Sequence, residues 1–215
     1  MRAWALVVAT VLAASTLTGA ARSETSRSQP RAALEHREAS ERARALERMA
    51  EIGTMADTPH VARRLRDSDP QVRELANLAM WQIWGRSGVK AIDELFERGV
   101  AQMQLGDLIA ALSTFDEIVR RMPSFAEGWN KRATILFLME RFDASLKDCH
   151  EVLKRNKLHY GALSGMGQIH MQRGEWEQAL QRFRQALAVN PNLDGVIEVV
   201  RQIEQQQARS PGVRT

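Results

Sequence analysis

Five histidines and a single cysteine are the side chains in this sequence best suited to metal or nucleophilic chemistry. The histidines are His36, His60, His150, His159 and His170. A zinc site needs about four converging donors, and none of the five stands in a spacing such as His-Glu-x-x-His. His150 and His170 fall on different predicted helices and are the one pair that folding could bring face to face. Cys149 sits in an apolar slot, where a thiol acts as a small hydrophobe. A nucleophile needs exposure and a lowered pKa, and the neighbouring His150 points elsewhere on a helix. Gly161, Gly165 and Gly167 lack the lysine of a phosphate loop. Asp116-Glu117 and the pair Glu175 and Glu177 read as solvated faces. The sequence therefore predicts no enzyme, no cofactor and no metal site.

Charge narrows the classes further. The net charge is +4, and the charged residues are interspersed along the chain. Interspersed charge belongs to solvated helix faces. Arg63, Arg64 and Arg66 form one small basic cluster and Arg120-Arg121 another. Neither makes the stripe that a polyanion needs, so no nucleic-acid partner is expected.

The amino terminus has the order of an export signal. Arg2 is followed by the apolar run Ala3 to Leu17, then by the small residues Thr18, Gly19, Ala20 and Ala21. Residues 1–21 are expected to be removed on export, most simply to a periplasm, leaving no stable membrane span. Residues 22–30 read as a flexible mature terminus. Residues 31–91 read as an N-terminal helical cap region: a helix over Arg31 to Ile52 with Pro30 at its start, a break from Gly53 to Pro59, a short helix from His60 to Arg66, and a helix opened by Ser68-Asp69-Pro70 and running to Trp84. Asp and Ser cap helices, and proline suits the first turn. Apolar residues lie nearly all round that last helix, which predicts burial on more than one side.

From Ile92 the chain repeats every 34 residues, as Ile92 to Phe125, Ala126 to His159 and Tyr160 to Leu193. Position 8 holds Gly99, Ala133 and Gly167, and position 24 holds Phe115, Cys149 and Phe183. Positions 20 and 21 read Ala111-Leu112, Ser145-Leu146 and Ala179-Leu180. Position 32 gives Pro123, Lys157 and Pro191. The turns inside the repeats read Gly106-Asp107-Leu108, Arg141-Phe142-Asp143 and Gly174-Glu175-Trp176. Small residues at positions 8 and 20 let paired helices approach, and large ones at position 24 are expected to fill the gap between repeats. A helix pair of this size cannot bury its own apolar face, so neighbours must stack. Residues 194–208 carry an apolar stripe that suits a C-terminal capping helix, and residues 209–215 read as a disordered tail.

These positions resemble the tetratricopeptide repeat (TPR), a 34-residue helix–turn–helix unit. The third repeat matches best and the second least, since Ser145 and Lys157 depart from the pattern. The resemblance implies an all-α fold, a right-handed solenoid of three repeats (92–125, 126–159, 160–193) with N- and C-terminal capping helices. It also implies a protein or peptide partner held in the concave groove. The groove residues it points to are Phe96, Val100 and Met103, then Asn130, Thr134 and Phe137, then Ser164, Gln168 and Met171. Phe96 and Val100 stand where a chaperone-tail clamp would place a basic residue and an asparagine, so that ligand is not expected. The function implied is an adaptor or scaffold. A structural homo-oligomer is the alternative, with an enzyme-associated domain behind it.

Overall fold

The structure, a computed structural model, describes residues 26–209. The export signal expected at 1–21 lies outside the described residues. So does the tail expected at 209–215, apart from Arg209, which ends the last helix. Among the described residues every element is helical, and the chain divides into two compact units at residues 83 and 84.

The first unit holds α1 (26–33), α2 (Ala39–Ile52), α3 (Thr58–Arg63) and α4 (Pro70–Trp84) as far as Ile83; Trp84, the last residue of α4, belongs to the second unit. Residues 26–30, expected to be flexible, are already helical. Their order has an electrostatic cause: Arg27 and Arg31, one helical turn apart, both reach the buried carboxylate of Asp57, at 3.3 and 3.0 Å. Pro30 accordingly lies within this helix and not at the start of the next. The single helix expected over 31–52 is broken between α1 and α2. There Leu34 turns fully inward, and the Arg42 guanidinium donates to the carbonyls of His36 and Arg37 at 2.9 and 2.7 Å. Arg42 is itself fixed by the buried Asp67, at 2.7 and 2.6 Å. At the start of α4, Asp69 accepts the Val72 N–H at 3.1 Å, the expected cap. Burial round α4 is uneven: Val72, Ala76, Ala79, Met80 and Ile83 are buried, while Leu78 is 49 % exposed.

The second unit holds three helix pairs and a final helix: α5 (Lys90–Gln104) with α6 (Leu108–Arg121), α7 (Ala126–Leu138) with α8 (Phe142–Arg155), α9 (Tyr160–Gln172) with α10 (Trp176–Val189), then α11 (Asp194–Arg209). Helices α7, α9 and α11 begin 34 residues apart, as do α6, α8 and α10. Positions 8 and 24 meet within each pair, not between repeats as expected, because the position-24 ring crosses the first helix of its own pair. A Cβ on Gly99 would lie 2.6 Å from the Phe115 ring, and one on Gly167 2.6 Å from Cδ1 of Phe183. In the middle pair the volumes are traded: Ala133 replaces glycine, Cys149 replaces phenylalanine, and both are buried. Ser145 is part of the same trade, since its hydroxyl donates to the Ala133 carbonyl at 2.7 Å. The stack ends on α11, whose Val196, Val199, Val200 and Ile203 close over Leu180 and Phe183.

One turn geometry recurs in all three repeats. The N–H groups of Asp107, Arg141 and Glu175 donate to the carbonyls of Gln102, Leu136 and His170 at 3.0, 2.8 and 2.9 Å. This is the helix end in which the residue just past the helix takes left-handed backbone angles. That residue is Gly106 (φ 76°), Glu140 (φ 57°) and Gly174 (φ 72°). The second turn is thus equivalent at Glu140, one residue before the triplet that sequence comparison aligned. A residue with a Cβ loses about 1–2 kcal/mol in that region, and a glycine gives back part of this by loosening the unfolded chain. Glu140→Gly should therefore stabilise the protein by about 0.5–1 kcal/mol. A urea midpoint that stays put or falls would show that the side chain contributes more than the backbone loses.

Candidate functional site

The inner helices α5, α7, α9 and α11 place residues of equal repeat position in rows across the second unit. The row at position 9 runs Val100, Thr134, Gln168 and Gln202, and all but Val100 are exposed. The row at position 13 runs Gln104, Leu138, Gln172 and Gln206, all exposed. Between them, position 12 gives the half-buried Met103, Phe137 and Met171, then the exposed Gln205. No residue of the three rows carries a charge, in a chain of which 26 % is charged. The three rows thus form an open lane of amides with an apolar floor.

Residues nearer the start of each inner helix are differently engaged. Phe96 packs edge-on against Phe115 and Phe125, at 5.8 and 5.5 Å, and Val100 and Met103 pack against the same cluster. Met171 joins the cluster beneath α11, and Phe137 lies 5.7 Å from Phe142. Asn130, expected to offer its amide to a ligand, is buried, and donates instead to Glu127 Oε1 at 3.0 Å. Ser164 is half-buried. Of the nine groove residues expected, Thr134 and Gln168 are open to solvent, and the Thr134 hydroxyl donates to the Asn130 carbonyl at 3.0 Å.

Asn130 belongs to a buried polar network that the sequence did not announce. Nδ1 of His159 accepts the Ala162 N–H at 3.0 Å and so caps α9, which leaves the ring proton on Nε2 to donate to Glu127 Oε2 at 2.8 Å. The Lys131 ammonium approaches Glu127 Oε1 to 3.3 Å. Trp84 stacks on the His159 ring, with centroids 4.4 Å apart, and leans on Tyr160 at 5.1 Å. Burial on its own would push the Glu127 carboxyl up; the His159 hydrogen bond, Lys131 and Asn130 outweigh it and hold the group below the usual carboxylate range.

Burial pushes the Cys149 thiol up to about 12, so it stays protonated. His170 pairs with Glu175 through Nδ1 at 2.5 Å, and His150 is exposed on α8. Among the described residues no group of three or more His, Cys, Asp or Glu is disposed to hold a metal.

The sequence profile of the tetratricopeptide repeat matches residues 160–193, the third repeat. The helix-pair architecture is the fold of TPR domains. A TPR repeat-containing protein of Rhizobium etli is 33 % identical over 129 residues, covering 60 % of this chain and 62 % of that one. The chain thus spans less than two thirds of that relative's length. The TPR fold recurs in the Yersinia enterocolitica type III secretion translocator chaperone SycD (TM-score 0.54, 13 % identity, 55 % of this chain and 96 % of that one). It recurs again in the first TPR of Spaghetti (RPAP3), solved with an HSP90 peptide (TM-score 0.52, 21 % identity, 54 % and 93 %). Against the TPR pattern, the second repeat stands out for giving its early inner-face positions, Glu127 and Asn130, to internal bonds.

Removing the Glu127 carboxylate strands the buried donors of His159 and Asn130, at about 1–3 kcal/mol each, so Glu127→Ala should lose about 2–4 kcal/mol and Glu127→Gln less. Because the folded carboxyl titrates below its unfolded value of about 4.3, its contribution is complete above that pH and is lost as pH falls through the folded value. The urea-midpoint advantage of wild type over Glu127→Gln should shrink below about pH 4.3. An advantage unchanged from pH 7 to pH 3 would contradict the assignment.

Proposed function

We propose that this protein is an interaction adaptor whose inner face holds a segment of another protein, and that it catalyses nothing itself. The observation that carries this reading is the open lane along the inner helices, where Leu138 remains 54 % exposed between Thr134 and Gln172. Solvated apolar side chains beside exposed amides are what a peptide-binding surface requires. The first TPR of Spaghetti (RPAP3) holds a peptide, which supports peptide capture by a domain of this fold. Crosslinked pull-down with wild type and with Thr134→Glu/Leu138→Glu tests it, since both residues are exposed and the fold should tolerate the change. A partner enriched by wild type and lost by the variant is expected. A partner retained by the variant would move the contact to another face.

A homo-oligomer is the second reading, favoured by Leu105 and Ile109, 84 % and 70 % exposed at the turn between α5 and α6. Light scattering should give a monomer mass for the adaptor and a multiple of it for the oligomer. The adaptor reading places the protein outside the cytoplasm, in a periplasm, on the strength of the export-type segment ending near Ala21. An intact mass beginning at residue 22 is expected from the native host, and a mass retaining residues 1–21 would contradict export with cleavage.

A further inference from the structure

We infer that the edge formed by the turns inside the three repeats, a surface separate from the inner lane, docks an amphipathic helix of a partner protein that carries basic residues beside its apolar stripe. The edge comprises residues 105–109, 139–143 and 173–177, which share repeat positions 14 to 18. The three turns lie side by side. Leu108 and Met139 pack on one cluster, and the Arg173 guanidinium reaches the Asp143 carboxylate at 2.7 Å and the Phe142 ring at 5.8 Å. The first turn departs from the third. Leu105 and Ile109 are 84 % and 70 % exposed, whereas the third repeat places Arg173 and Glu177 at those two positions. The fold therefore does not require apolar residues there. Between the two positions runs the row Leu108, Phe142 and Trp176, half-buried apart from the exposed Trp176, so apolar surface extends along all three turns. Exposed apolar surface that is continuous, and not scattered singly, marks an interaction site.

Charge and backbone bonding select the occupant. The three turns hold five acidic residues, Asp107, Glu140, Asp143, Glu175 and Glu177, against two arginines, in a chain whose net charge is +4. Arg173 is paired with Asp143 and Glu175 with His170, which leaves three acids facing Arg141. A partner with Lys or Arg beside its apolar residues complements this edge. A second copy set edge to edge would oppose acid to acid. The edge is also small for a dimer: two steps of about 8–10 Å between packed helices make it about 20 Å long, short of the roughly 800 Å² per partner that a stable interface buries. An anionic lipid surface is repelled by the same acids. An extended peptide would need backbone partners, but the N–H groups of Asp107, Arg141 and Glu175 are already bonded to Gln102, Leu136 and His170. A helix satisfies its own backbone, and its residues i and i+7 stand about 10 Å apart, close to the step between turns.

A displayed library of helical peptides of about 18 residues, with leucine fixed at i, i+4, i+7 and i+11 and the other positions random, selected on the full chain, tests this. The selected flanks should be enriched in Lys and Arg over Asp and Glu. Binding of the best peptide should fall at least about tenfold on Leu105→Ser/Ile109→Ser and should fall also on Glu140→Lys/Glu177→Lys. It should stay within about twofold on Thr134→Glu in the inner lane. All five substituted side chains are exposed, so the variants should keep the fold. Unbiased or acidic flanks, binding indifferent to Leu105→Ser/Ile109→Ser, or no enrichment would overturn the inference. So would a dimer mass in light scattering, or flotation with phosphatidylcholine–phosphatidylglycerol vesicles, that Leu105→Ser/Ile109→Ser abolishes, since each assigns the edge to a different occupant. None of these results bears on the groove reading, whose pull-down turns on Thr134 and Leu138.

Discussion

Everything in the second unit depends on one close approach, the passage of an aromatic ring across a helix that has no side chain at the crossing point. Phe115 lies against Gly99 and Phe183 against Gly167, each so near that a methyl group would collide. That contact fixes the distance between the helices of a pair. The distance in turn fixes which faces are left to stack on the next pair, and so which residues line the inner surface. Interiors are packed like crystals, so such a constraint is stiff.

The middle repeat satisfies the same constraint by different chemistry. Ala133 and Cys149 share the volume between them, and the Ser145 hydroxyl bonds to the Ala133 carbonyl. Its turn holds Glu140 in the left-handed region where its neighbours use glycine. These departures coincide with a buried network in which Asn130 and His159 both bond to Glu127, with Trp84 stacked on the His159 ring. Asn130 thereby takes the inner-face position that Phe96 fills with apolar packing in the first repeat. The open surface is thereby shifted toward the C-terminal halves of the inner helices.

Much of this was legible in the residues. The 34-residue spacing of glycines, alanines and phenylalanines reports helix contacts directly, because size at a crossing point is a property of the residue alone. The cap at Asp69 and the stripe of α11 were readable for the same local reason. What failed was non-local. Residues 26–30 look unstructured until Arg27 and Arg31 are placed against Asp57, some thirty residues on in the sequence. Asn130 looked free because its partner Glu127 is anchored by His159, 32 residues on at the far end of the same repeat, a contact that only the fold makes. Glu140 was masked by a shift of one residue in aligning the turns, where a charged side chain hid a backbone position that glycine usually holds.

We propose the C-terminal halves of the inner helices as the binding surface. Hydrogen exchange of the full chain with and without the partner recovered by crosslinking tests it most directly. The account predicts added protection in peptides covering 134–138 and 168–172, with the outer helices α6, α8 and α10 unchanged. Protection confined to those outer helices, with the inner ones exchanging as before, would contradict it.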